Sequence, residues 1–140
     1  MKVVIFRDEK NLNLIKNSQW EYFSNKICKI FEYILNEKIA YSNVSLDSNG
    51  KNVDIIFHIK EYESLKTLKF KFEDFLCKEA VYNDNGKQKV YQFKKIELLW
   101  HKFLVECLGD KVLDDLFDFY KKTNRDFNEL KDFVRHTEGF

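Results

Sequence analysis

Apolar residues recur along this chain in two rhythms, one of period two and one near 3.6, and the rhythm changes mark the elements. Val3-Val4-Ile5-Phe6 predicts a short strand, and residues 7–17 are polar and loop-like. Ser18-Gln19-Trp20-Glu21 has the form of a capping box, in which the Ser and Glu side chains satisfy each other's backbone amides. Trp20, Phe23, Ile27, Ile30, Phe31, Ile34 and Leu35 follow at helical spacing, so a helix is predicted over residues 19–37. Residues 39–46 and 53–60 flank the turn-rich stretch 47–52 and read as a hairpin. In its second strand Val53, Ile55, Phe57 and Ile59 share one face, while Asp54, Ile56 and His58 share the other.

Residues 65–82 fit two patterns. Tyr62, Leu65, Phe72, Phe75 and Leu76 lie on one helical face, yet Leu68, Phe70 and Phe72 alternate strictly with Lys69, Lys71 and Glu73. The alternation favours strand. Asn83-Asp84-Asn85-Gly86 then supplies a turn into residues 89–93, because Asn-Gly accepts the positive φ that tight hairpins need. From Lys94 the period lengthens again. Ile96, Leu99, Trp100, Phe103, Leu104, Cys107 and Leu108 form a helical stripe, with Gly109 as its left-handed cap. A further helix carries Val112, Leu113, Leu116, Phe119 and Tyr120 from Asp110 onward. Thr123-Asn124-Arg125 interrupts it, and a last short helix carries Phe127, Leu130, Phe133 and Val134. No repeat, linker or shift in composition divides the chain, so residues 1–140 are expected to form one domain. The expected class is α+β: an antiparallel sheet of about five to six strands, an N-terminal helix and two to three C-terminal helices.

Composition agrees with a packed domain. At 140 residues, 44% hydrophobic and 16% aromatic, the chain has ample material for a core, which excludes a disordered segment. No apolar run approaches the length of a membrane span. Val3–Phe6 is too short for the core of a secretory leader, so a cytoplasmic location is expected. Cys28, Cys77 and Cys107 are odd in number and widely spaced, as expected of reduced, packed thiols. Lys outnumbers Arg by 21 to 3 and Pro is absent, a usage that follows A+T-rich codons. The lysine count therefore says little about phosphate binding, for which Arg is the better ligand.

Candidate chemistry is sparse. His58 lies on a strand four residues from Asp54, too far along an extended chain to pair with it. Glu97 and His101 are spaced i,i+4 on the helix side away from the apolar stripe and read as a solvated pair; two such ligands do not close a zinc site. His136, near Asp132, has the same reading. Cys107 stands among Phe103 and Leu104, where a thiol is inert. Asp114 and Asp115 are adjacent, so on a helix they diverge by about 100° and form no carboxylate pair. The four glycines are isolated, without a phosphate-cradling loop. These features imply no enzyme, no cofactor and no metal.

Charge is uneven along the chain. Residues 1–59 carry a net +1, residues 60–102 a net +3, and residues 103–140 a net −3. In the last block Asp110, Asp114 and Asp118 recur at i,i+4,i+8 with Asp115 beside them, an acidic ridge opposite an apolar helix face. Asp114, Asp115 and Asp118 are the candidate partner-binding residues, suited to a partner with a basic surface. The basic stretch Lys87-Gln88-Lys89-Val90-Tyr91-Gln92-Phe93-Lys94-Lys95 supports an alternative reading, a small nucleic-acid-binding protein with Lys on phosphate and aromatics on bases. An overall charge of +1 is weak for that role. A second alternative, a small enzyme, would need His58, His101 or a Cys gathered with a carboxylate in one cleft.

The layout resembles the small cytosolic immunity proteins of bacterial toxin systems, including those of contact-dependent growth inhibition. The resemblance rests on the chain-wide plan of a small domain without catalytic motifs, on the A+T-rich composition, and on the strand-rich stretch Thr67-Leu-Lys-Phe-Lys-Phe-Glu-Asp74 running on to Ala80-Val-Tyr-Asn-Asp84. It implies a non-catalytic module that binds one cognate toxin domain, often a nuclease, and neutralises it; the lack of a long apolar run separately implies no membrane partner.

Overall fold

In the computed structural model, residues 1–7, 15–47, 52–59 and 66–136 are described, the side chains of Phe93 and His136 excepted. The elements run β1 (Lys2–Phe6), α1 (Asn17–Leu35), β2 (Tyr41–Leu46), β3 (Asn52–His58), β4 (Lys66–Glu73), β5 (Leu76–Asp84), β6 (Lys87–Val90), α2 (Phe93–Leu108), α3 (Asp110–Lys122) and α4 (Phe127–His136). The α+β class holds. The six strands form one sheet in chain order, antiparallel from β2 to β6, with β1 parallel to β2. The parallel edge follows from α1: a helix between two neighbouring strands returns the chain to the same end, so the second strand must run alongside the first.

The alternation read from the sequence decides which side of the sheet is covered. Val53, Ile55 and Phe57 of β3 stand opposite Phe72, Phe70 and Leu68 of β4, and all six are buried. Val44 and Leu46 on β2 and Cys77 and Ala80 on β5 extend the same face. Onto it α1 delivers Trp20, Phe23, Ile27 and Phe31, and α2 delivers Trp100 and Phe103. The layers interlock through rings: Phe23 stacks on Phe103 at 4.2 Å between centroids, and Phe72 on Trp100 at 4.5 Å. Burying an aromatic side chain removes some 150–250 Å² from water, so this cluster is the main source of the core's stability. On the reverse face, Tyr41 and His58 stack at 4.2 Å, and Ile56, Lys69 and Val81 line up across the strands, all partly exposed.

The described part of residues 65–82 forms strand, as the alternation indicated, but two strands rather than one; Tyr62 and Leu65 lie outside the described residues. The break is at Asp74, which takes φ 55° and starts a tight turn into Leu76 without a glycine or proline to announce it. A bulge follows. Lys71 pairs with Glu79 and Phe72 with Cys77, leaving Lys78 as the extra residue. The Asn85-Gly86 turn is as expected, with φ 51° and 90° and the Gly86 N–H held by the Asn83 side chain at 3.0 Å.

Helix ends depart from expectation: α1 stops at Leu35 rather than Glu37, because Asn36 takes the left-handed φ 53°. The N-terminal helix begins at Asn17 rather than Gln19, and Ser18 is an exposed residue of its first turn. Gln19, not Glu21, reaches back to the Lys16 N–H at 2.8 Å. Arg7 sets this start by donating to the Ile15 carbonyl at 3.1 Å and to Asn17 Oδ1 at 2.8 Å, which ties the end of β1 to the helix. Gly109 does end α2, but at φ 73° and ψ −151° it lies outside the left-handed helical region and turns directly into α3. That backbone region is open essentially to glycine alone.

Candidate functional site

Polar side chains of α2 converge on the β4–β5 turn. Trp100 Nε1 donates to the Asp74 carbonyl at 2.8 Å, His101 Nε2 donates to the Phe75 carbonyl at 2.6 Å, and Glu97 Oε2 accepts the Cys77 N–H at 2.9 Å. Three backbone groups of this glycine-free turn and the start of β5 are thus satisfied by one helix. The same side chains reach the C-terminal helices. His101 Nδ1 accepts the Tyr120 hydroxyl at 2.6 Å, and Glu97 Oε1 accepts Arg125 Nε at 2.9 Å. Arg125 in turn lies 4.7 Å from the centre of the Phe119 ring.

The solvated Glu97–His101 pair expected from the sequence is therefore overturned. His101 is fully buried and Glu97 is 7% exposed, and neither bonds to the other. On a helix packed against a sheet and two further helices, the side opposite the apolar stripe is not solvent. Sequence periodicity shows one buried face; it carries no signal for a second one lined with hydrogen-bonding groups.

Chemically this network is closed. Both ring nitrogens of His101 are occupied, and burial pulls its pKa down to about 4, with the Arg125 charge adding to the shift against the Phe75 bond. Burial also pushes the Tyr120 hydroxyl well above its ordinary range. A neutral, enclosed imidazole serves as a structural hydrogen-bond hub. Beside it, Lys94, Glu97, Leu98, Tyr120, Arg125 and Glu129 are among the residues lining a half-open cleft of about 440 Å³. Four of its charged side chains pair off, Arg125 with Glu97 and Lys94 with Glu129 at 3.2 Å, while Asp126 accepts the Asn128 N–H.

His58 is elsewhere. It belongs to the partly exposed sheet face opposite the aromatic core, stacked on Tyr41 with Nε2 3.2 Å from Asn43 Nδ2. The structure thus separates His58 from His101 by the sheet itself. The three cysteines are free; burial pushes Cys28 and Cys77 up to about 12 and Cys107 to about 11, so none is poised as a thiolate at neutral pH. No group of three or more His, Cys, Asp and Glu able to hold a metal occurs among the described residues.

The acidic ridge lies on α3. Val112, Leu116 and Tyr120 bury one side of this helix, while Asp110, Asp114, Asp115 and Asp118 are all exposed. At 100° per residue, Asp110, Asp114 and Asp118 fall within an arc of about 80°, with Asp115 to one side. No salt bridge engages any of the four among the described residues. Phe117 flanks the ridge on the other side, 48% exposed and edge-on to Phe127 of α4 at 5.1 Å. Sequence reasoning placed the carboxylates and missed this ring, because Phe117 reads as one more member of an aromatic-rich amphipathic helix.

Of the basic stretch, Lys87 and Lys89 are exposed on β6, the sheet's edge strand, whereas Lys94 turns to Glu129. Tyr91 is not presented for stacking; it packs edge-on to Phe31 at 5.1 Å. Among the described residues no helix is long and apolar enough to cross a membrane. Comparisons of the chain with protein-family models, with curated proteins and with solved structures find no match.

Proposed function

We propose that this chain is a non-catalytic protein-binding module, a cytosolic immunity-type inhibitor that binds and neutralises a cognate bacterial toxin domain through α3. The observation that carries the reading is the exposed face of that helix. Among the described residues Asp114, Asp115 and Asp118 stand free of cations, on a helix whose opposite side is locked into the core, and a half-exposed Phe117 adjoins them. Unneutralised carboxylates on a rigid support steer a basic partner and raise its association rate. A partly exposed aromatic ring supplies the apolar anchor that charge alone lacks. The active site of a nuclease is electropositive because it holds phosphates, so such a face can occupy it or dock beside it.

The test is co-expression and co-purification with a large toxin or effector encoded directly upstream, followed by association kinetics. Reversing Asp114, Asp115 and Asp118 to Lys, with the fold verified by circular dichroism, is expected to slow association, and Phe117→Ala to speed dissociation. Unchanged kinetics in both variants would reject this face. Absence of any such neighbouring gene would count against the immunity role.

A further inference from the structure

A second surface, sharing no residue with α3, has the opposite character. Between α1 and the start of α2 lies a groove of about 210 Å³, lined by apolar atoms of Ile30, Phe31, Ile34, Tyr91 and Leu99. Lys95 is the single charged residue among those lining it. The ammonium of Lys89 sits 5.3 Å from the centre of the Tyr91 ring, so a second cation borders the same wall. Neither ammonium is engaged by a carboxylate among the described residues, whereas Lys66, Lys69, Lys78, Lys94 and Lys102 all are. Ile34, on the groove wall, is 50% exposed, and Tyr33, its neighbour in α1, is 87% exposed.

We infer that this groove is a docking site for an acidic, apolar-centred segment of a partner protein. Charge selects the sign: two unneutralised cations beside an apolar slot, with no acidic residue lining it, favour an anionic occupant. Size selects the class. The volume lies below the roughly 300–1,000 Å³ usual for small-molecule sites, and a small ligand seated in it leaves the neighbouring Tyr33 wet. A polypeptide covers both parts, with a bulky apolar side chain in the groove and flanking carboxylates on Lys89 and Lys95. The site goes beyond the proposed function, since it calls for an acidic partner surface where α3 calls for a basic one.

The probe is a short fluorescent peptide in which Glu and Asp flank a central Leu-Phe pair, titrated against the full chain by fluorescence anisotropy. Controls replace the acids by Gln and Asn, or Leu-Phe by Ala-Ala, and each is expected to bind at least about tenfold more weakly. Lys95→Glu is expected to abolish binding and Lys95→Arg to preserve it. Ile34→Ala should weaken it several-fold, whereas reversing the α3 aspartates should leave it unchanged. Both groove positions are open to solvent on one side, and circular dichroism checks that the variants fold. The inference is overturned if the acidic peptide does not bind, if the neutral peptide binds equally well, or if Lys95→Glu has no effect. It is equally overturned if phosphatidylglycerol vesicles bind in place of the peptide, or if Lys95→Glu abolishes a self-association of the chain, since the occupant is then a lipid surface or a second copy.

Discussion

The Tyr120 hydroxyl donates to Nδ1 of His101 across 2.6 Å, and the other ring nitrogen donates to the Phe75 carbonyl, so this imidazole is neutral with its proton on Nε2. One side chain thereby joins α2 to α3 and to the β4–β5 turn. The Tyr120 bond would not survive in this form if the ring gained a second proton, because Nδ1 would no longer accept, whereas the Nε2–H bond to Phe75 would persist.

Stability should therefore depend on pH through His101. Its pKa is lowered from 6.5 to about 4 in the folded chain, mainly by burial. The unfolded chain takes up the proton first, so the stabilisation is present above about pH 6.5 and is lost as pH falls toward 4. The full effect is at most about 3 kcal/mol, from the free energy per pKa unit. Urea unfolding at pH 7 and pH 4.5 measures it, and His101→Gln is expected to flatten the difference between the two. A variant with the undiminished pH dependence would remove His101 as its source.

Tyr120→Phe keeps the ring and deletes the donor, leaving a buried nitrogen without a partner. The expected loss is about 1–3 kcal/mol, the cost of a desolvated and unsatisfied polar group. The midpoint of urea unfolding at pH 7 reads it directly.

Glu97 and Arg125 should respond unequally. Glu97→Ala strips the Cys77 N–H of its acceptor in the interior and leaves Arg125 without its counterion, at an expected cost of about 2–3 kcal/mol. Arg125→Met takes the cation from Glu97 Oε1 but leaves Oε2 on the Cys77 N–H. Because the Arg125 position is 33% exposed, water can reach Oε1 instead, so this variant is expected to cost clearly less. Equal losses in thermal unfolding would mean that the ion pair, rather than the bond to the turn, dominates.

Gly109→Ala tests the α2–α3 junction. An added Cβ meets no atom within 4 Å, so any cost comes from holding an L-residue at φ 73°. About 1–3 kcal/mol is expected from that backbone strain. A neutral result would show that the junction relaxes without loss.

On α3, stability and binding should part. Asp114 and Asp118 repel at i,i+4, and Asp118 lies beyond the helix start where the dipole would favour it. Asp118→Lys is expected to stabilise the chain by a few tenths of a kcal/mol while slowing association with a basic partner. A destabilised variant would instead assign Asp118 a structural role.

The legible part of this protein was the part governed by local periodicity. Strict alternation in Leu68–Lys69–Phe70–Lys71–Phe72 marked β4, and Asn85-Gly86 marked the β5–β6 turn, because these signals arise within a few residues. The Asp74 turn was illegible for the converse reason. It is held by Trp100, His101 and Glu97, which lie more than twenty positions further along the chain.

The same division separates the two surfaces. Spacing alone placed Asp110, Asp114 and Asp118 on one side of a helix, since 3.6 residues per turn is a property of the backbone. Exposure of Phe117, burial of Glu97 and His101, and the lysine-bordered groove between α1 and α2 were decided by which helices pack where. Sequence by itself determined the element types, the α+β class and the acidic ridge. Tertiary structure alone decided which polar residues lie inside, because desolvation and hydrogen-bond partners depend on neighbours that are distant along the chain.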